Sequence, residues 1–115
     1  MVVVIFESQP HPHRKEAYLQ AGARLSSAVQ DHPGFVSIER YESLVNPGKL
    51  LALSTFADEE AVHNWRNLEV HRGIQVASRN TIFADYRLRV ATVLRDYSLN
   101  NRAEAPGDSR VAHGA

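Results

Sequence analysis

The sequence contains no cysteine. Disulfides, thiolate metal sites and thiol nucleophiles are therefore excluded together, and the composition fits a reducing compartment. Neither sign of charge is in excess, since 13 Lys and Arg balance 13 Asp and Glu. A nucleic-acid binder normally carries a basic surplus and an electrostatic membrane anchor needs a basic cluster, so neither role is expected. No apolar run approaches the roughly 20 residues of a membrane-spanning helix. The apolar stretch Met1 to Phe6 has no basic region before it, is shorter than a signal-peptide core and is ended by Glu7, so the expected location is the cytoplasm. The six glycines are scattered rather than gathered into a phosphate-cradling loop, which leaves ATP, NAD and flavin phosphates without a binding motif. No nucleophile elbow or triad spacing occurs, and no internal repeat is visible.

A chain of 115 residues, 43% hydrophobic and 23% charged, has the size and composition of one globular domain. The β-branched run Val2-Val3-Val4-Ile5-Phe6 reads as a strand buried on both faces. From about His13 to Asp31 the period changes. Tyr18, Ala21, Leu25, Ala28 and Val29 share one helical stripe, with Lys15, Glu16, Gln20 and Arg24 off it. Pro12 suits the first turn of that helix, and His32-Pro33-Gly34 stops it. Phe35 to Glu42 reads as a second strand, with Val36 and Ile38 on one side and Ser37 and Glu39 on the other. Asn46-Pro47-Gly48 is a turn that joins it to a third strand, Leu50 to Phe56. Asp58 is placed to cap a second helix, with Glu59 and Glu60 in its first turn. Ala61, Val62, Trp65 and Leu68 form its apolar face, and the stripe then rotates, so a break is expected near Asn67 to Glu69. Ile82 to Leu94 reads as a long last strand. Residues 98–115 lack periodicity and read as a flexible tail behind a domain spanning 1–97.

The order β-α-β-β-α-β is the ferredoxin-like α+β plan. Helices cover one face of such a sheet. Apolar side chains on the long last strand then need another cover, and a homodimer is the simplest one.

Six histidines raise the question of a metal. His11 and His13 flank Pro12 in a loop, and His63 and His71 lie eight apart, whereas a helical ligand pair normally stands at i,i+4. No carboxylate completes a triad, so no metal is expected. His32 suits a helix C-terminus, where a cation favours the dipole. Trp65, the single tryptophan, reads first as a core residue covering the sheet, and His71 as a surface or satisfied histidine.

The runs HPGFVSIERYES, NPG, LLALSTFADEEAVHNWRNLEVHRGIQ and FADYRLRVATVLRDY, taken in order, resemble the antibiotic biosynthesis monooxygenase family over about Val2 to Tyr97. The telling pieces are Pro33-Gly34-Phe35, the stretch from Trp65 to His71, and Phe83 with Asp85-Tyr86. The resemblance implies a dimeric α+β barrel with a pocket between helices and sheet in each subunit. Some members of the family oxidise polycyclic phenols to quinones with O2 and no cofactor, others bind and degrade haem, and others act on small quinones or aldehydes. On the cofactor-free pattern Trp65 stacks on a small aromatic substrate and His71 takes or shuttles the phenol proton. Arg66, Asn67 and Gln75 are then candidate oxyanion donors. Phe83 and Tyr86 line the pocket from the last strand, only one face of which is available to it, and Glu7 contributes from the first. No cofactor is expected, with haem as the alternative. Against haem, the first strand offers Glu7 and Ser8 where haem-degrading relatives carry an asparagine, and His71 follows Trp65 at a shorter interval than their ligand histidine. A ligand-binding or stress-response module without turnover is the remaining alternative.

Overall fold

The structure is a computed structural model that describes residues 1–68 and 82–113. Strand β1 (Val2–Pro10) is followed by a 3-10 turn (Pro12–Arg14) and helix α1 (Lys15–Val29). Strands β2 (Phe35–Glu42) and β3 (Leu50–Phe56) form a hairpin, α2 (Glu59–Arg66) follows, and β4 (Phe83–Thr92) closes the sheet. Strand order is β2-β3-β1-β4 with every neighbour antiparallel. This is the ferredoxin-like arrangement that the element order implies.

Alternation along the strands sorts the side chains onto two faces. The rows Phe35–Phe56–Val2, Ile38–Ser54–Val4–Val90 and Arg40–Ala52–Phe6–Leu88 run across the helix side. Val3, Ile5, Glu7, Leu51, Leu53 and Arg89 run across the other. The main core lies on the helix side, where Val2, Val29, Phe56, Ala61, Val62 and Trp65 pack together with Val4, Leu25, Phe35 and Ile38 around them. Phe56 is 1% exposed and Val29 2%, and burying such a side chain contributes roughly 1.5–3 kcal/mol.

Two β-bulges interrupt the alternation. Register shifts between Phe35 and Ser37, so Phe35 and Ile38 both face the helices while Val36 is expelled and stands 55% exposed. This corrects the pairing of Val36 with Ile38. A second shift, at Gln9/Pro10, leaves Ala84 as the extra residue opposite β1. It also explains why β1 runs past Phe6 to Pro10: Pro10 pairs with Phe83 beyond the bulge, at the strand end where a missing N–H is tolerated.

The His32-Pro33-Gly34 turn docks α2 onto this frame. Gly34 has φ +83, and a Cβ there would stand 2.6 Å from the Ala61 Cβ. Its carbonyl accepts from Ala57 N at 2.7 Å. The His32 ring does not serve the end of α1. Its Nε2 donates to the Ala61 carbonyl at 3.2 Å, and the ring lies 5.6 Å from the Trp65 indole. Asp58 caps α2 as expected, its Oδ1 accepting from Ala61 N at 2.8 Å. The helix ends at Arg66, with Asn67 as its C-cap just at the start of the expected break, and Leu68 falls off the buried stripe at 41% exposed. On α1 the inward positions are Tyr18, Gly22 and Val29, whereas Ala28 is exposed. Past β4 the segment read as structureless carries a short helix, α3 (Gly107–His113), preceded by a turn in which Ser98 N donates to the Asn101 carbonyl. No helix among the described residues is long and apolar enough to cross a membrane.

Candidate functional site

A cavity of about 200 Å3 lies between the helices and the helix side of the sheet. Its floor is Val4 and Phe6 of β1, Ala52 and Ser54 of β3, and Ile38 of β2; Tyr18, Ala21, Gly22 and Leu25 of α1 and Val62 and Trp65 of α2 form the roof. The small floor residues Ala52 and Ser54 sit in the middle strands and leave the space that larger side chains would fill.

One end is aromatic. Phe6 meets Phe83 edge-to-face at 5.4 Å and Tyr86 at 5.7 Å, Phe83 lies 5.9 Å from Tyr86, and Tyr18 of α1 packs on Phe83 at 5.8 Å. Strict alternation would send Phe83 and Tyr86 to opposite faces. The bulge at Ala84 turns both into the cavity, so the question of which face of β4 lines it is answered by an irregularity that the sequence pattern conceals. Leu88 and Val90 continue this wall, and with Tyr86 they are 45–50% exposed.

Two guanidinium groups also line the cavity. Arg40 reaches from β2 under α1, where its Nη1 donates to Ser26 Oγ at 2.7 Å, and Arg66 enters from α2, its Nη2 lying 3.1 Å from His63 Nδ1. No Asp or Glu among the described residues lines the cavity. Arg40 was not among the residues that sequence reasoning singled out. The available signal was parity, because Arg40 shares an inward face with Ile38.

The other sequence-derived candidates divide as follows. Trp65, Arg66, Phe83 and Tyr86 come together around the cavity. Asn67 is not one of its walls: its side-chain amide donates to the His63 carbonyl at 2.8 Å and closes the end of α2. His71 and Gln75 lie outside the described residues. Glu7 faces away from the helices and is not one of the walls of this cavity. Lys49 Nζ stands 3.4 Å and Arg89 Nη1 3.2 Å from its carboxylate oxygens. The Lys49 hydrogen bond, with the charges of Lys49 and Arg89, holds the Glu7 carboxyl below its usual range. Its neighbour Ser8 does face the helices, 2% exposed and with its hydroxyl lacking a hydrogen-bond partner among the described residues. The rings of His11 and His13 stack at 6.0 Å. No group of three or more His, Asp or Glu suited to a metal occurs among the described residues.

The sequence profile of the antibiotic biosynthesis monooxygenase family matches residues 1–77. Jasmonate monooxygenase ABM of Pyricularia oryzae is 37% identical over 93 residues, which cover 81% of this chain and 43% of the fungal protein. The chain thus spans less than half the length of that relative. The Bacillus subtilis protein YqjZ is 27% identical over 78 residues, covering 68% of this chain and 67% of its own. In fold, the chain is similar to a Deinococcus radiodurans protein (TM-score 0.77, 15% identity, 86% of this chain and 98% of that one). It is similar likewise to Rv0793 of Mycobacterium tuberculosis (TM-score 0.76, 18% identity, 84% and 98%).

Proposed function

The chain belongs to the antibiotic biosynthesis monooxygenase family, and on that premise we propose that it oxidises a small aromatic, phenol- or hydroquinone-like molecule with O2 in the helix-side cavity, without a cofactor. The observation that carries this reading is the cavity itself, apolar, aromatic at one end and lined by guanidinium groups but no carboxylate among the described residues.

The chemistry follows from the substrate. A phenolate is electron-rich enough to reduce O2. One oxygen atom becomes the second carbonyl of a quinone, the other leaves as water, and the phenol supplies all four electrons. The protein's task is to hold the anion, exclude water and stabilise the developing charge. Trp65 offers an aromatic face, Arg66 a guanidinium at the same helix end, and His71 an imidazole to accept the phenol proton. A cavity of 200 Å3 falls below the roughly 300–1,000 Å3 of sites for drug-sized ligands. It therefore suits a small ring system better than a haem, and β1 supplies Ser8 rather than an asparagine. The half-exposed β4 wall and the aliphatic Val3, Ile5, Leu51 and Leu53 on the outer face support assembly as a homodimer through the sheet, which light scattering in solution will test.

Oxygen uptake by the purified, metal-stripped protein with a panel of naphthols and hydroquinones tests the proposal. Saturable uptake, lost by at least tenfold in Trp65→Phe and in His71→Ala while circular dichroism stays unchanged, is expected. Ligand binding without uptake across the panel would instead make the protein a binding module. Full turnover in both variants would remove Trp65 and His71 from the chemistry.

A further inference from the structure

An arginine placed against an apolar cavity is costly unless an anion meets it. Three cations at the surface have carboxylate partners: Lys15 pairs with Glu42 at 3.4 Å, and Lys49 and Arg89 both pair with Glu7. Arg40, half-buried, has no carboxylate partner among the described residues. Its Nη1 donates to Ser26 Oγ at 2.7 Å, and its Nε is buried without a hydrogen-bond partner among the described residues. The acidic residues nearest in sequence are committed elsewhere. Glu39 points to the outer face and accepts from the Tyr41 hydroxyl, while Glu42, on the same face as Arg40, holds Lys15.

The surroundings keep the guanidinium in place. Gly22 is the inward residue of α1 where Arg40 passes, and a Cβ there would come within 2.8 Å of the Arg40 Nε. The absence of a side chain at 22 leaves the channel that the arginine occupies, and Ser26, one turn further along α1, fixes its end. Arg40 also stands at the far side of the cavity from the aromatic cluster. In the row Arg40–Ala52–Phe6–Leu88 it lies two strand steps from Phe6 of that cluster, or about 10 Å at the usual spacing of roughly 4.8 Å per strand. Ala52 is the one residue of this row between Arg40 and Phe6.

We propose that Arg40 is the specificity-determining anchor for a carboxylate on the substrate. The ligand is an amphipathic organic acid whose carboxylate meets Arg40 and whose apolar ring lies over Ala52 and Phe6 toward Phe83 and Tyr86. This rests on the reading of the cavity as the substrate site. It adds that the acid group is a handle remote from the reacting ring, held at the β2 side by a charge-assisted hydrogen bond to the guanidinium. Arg40 acts on affinity and leaves the oxidation step to the residues at the α2 end.

The test is calorimetric binding of two probes of nearly equal shape, 1-naphthylacetate and the neutral 1-naphthylacetamide, to the full chain at neutral pH. The wild type is expected to prefer the acid by about 10- to 100-fold, the range of a hydrogen-bonded charge pair. Added salt should weaken the acid and leave the amide unchanged. Arg40→Met should abolish the preference while amide binding persists, which shows that the cavity is intact. Ser26→Ala, which leaves the charge but frees the guanidinium, should reduce the preference several-fold with an unchanged melting curve. Equal binding of the two probes by wild type, or a preference that survives Arg40→Met or disappears only in Arg66→Met, would overturn Arg40 as anchor while leaving the cavity a ligand site. Binding of neither probe would overturn both readings.

Discussion

The two faces of the sheet are built from the same four strands and do opposite things with charge. On the outer face, cations and anions meet in exposed clusters: Glu7 holds Lys49 and Arg89, and Tyr41 donates to Glu39. On the helix side the core residues are apolar, and the two charged side chains at the cavity are both arginines. The outer face meets these charges within the chain. The pocket carries positive charge with no protein carboxylate among its described walls. That contrast supports the proposed binding site on the helix side, where Arg40 lines the cavity without a carboxylate partner among the described residues.

The contrast has consequences for stability that rank the two faces. Phe56→Ala empties the most buried aromatic position of the helix side and is expected to cost about 3–5 kcal/mol, read as a lowered midpoint in urea. Gly34→Ala forces a left-handed residue against Ala61. The backbone alone costs about 1–2 kcal/mol, and because the turn positions α2, ligand binding should weaken together with the melting temperature. Asp58→Ala removes the cap of the same helix for about 1 kcal/mol. The smallest effect belongs to the outer face. Glu7→Gln should leave thermal stability at neutral pH nearly unchanged, since exposed pairs contribute little. Its sign is nevertheless defined. The folded carboxyl titrates below its usual range, so its contribution is present above the unfolded carboxylate pKa of about 4.3. It fades as pH falls through the lowered folded value, and any advantage of wild type over Glu7→Gln should vanish in acid. An outer-face variant that proved as damaging as Phe56→Ala would break the comparison.

Most of the frame was legible from period and punctuation. The limits of β2 and β3 and the Asp58 cap follow from alternation, turn residues and capping chemistry that act locally. What escaped was set by tertiary geometry. The bulges at Val36 and Ala84 shift the parity of single residues, and no local rule places them, yet they decide that Phe35 and Ile38, and Phe83 and Tyr86, share faces. Glu7 was assigned to the site because it lies on the first strand, and its parity sends it outward. Gly22 and Arg40 were overlooked because each is unremarkable alone. Only the packing of α1 on β2 brings the missing side chain of one under the guanidinium of the other. His32 was read against its own helix, and it serves α2 instead.

The single tryptophan lies in the wall of the cavity and so reports directly on which face binds. The decisive measurement is a fluorescence titration with 2-naphthol under argon, excited at the indole, on wild type, Ala52→Leu and Glu7→Gln. The account predicts saturable quenching in wild type and in Glu7→Gln, and its loss in Ala52→Leu, where the added side chain fills the cavity floor. Quenching that survives Ala52→Leu and disappears in Glu7→Gln would contradict it and move the site to the outer face.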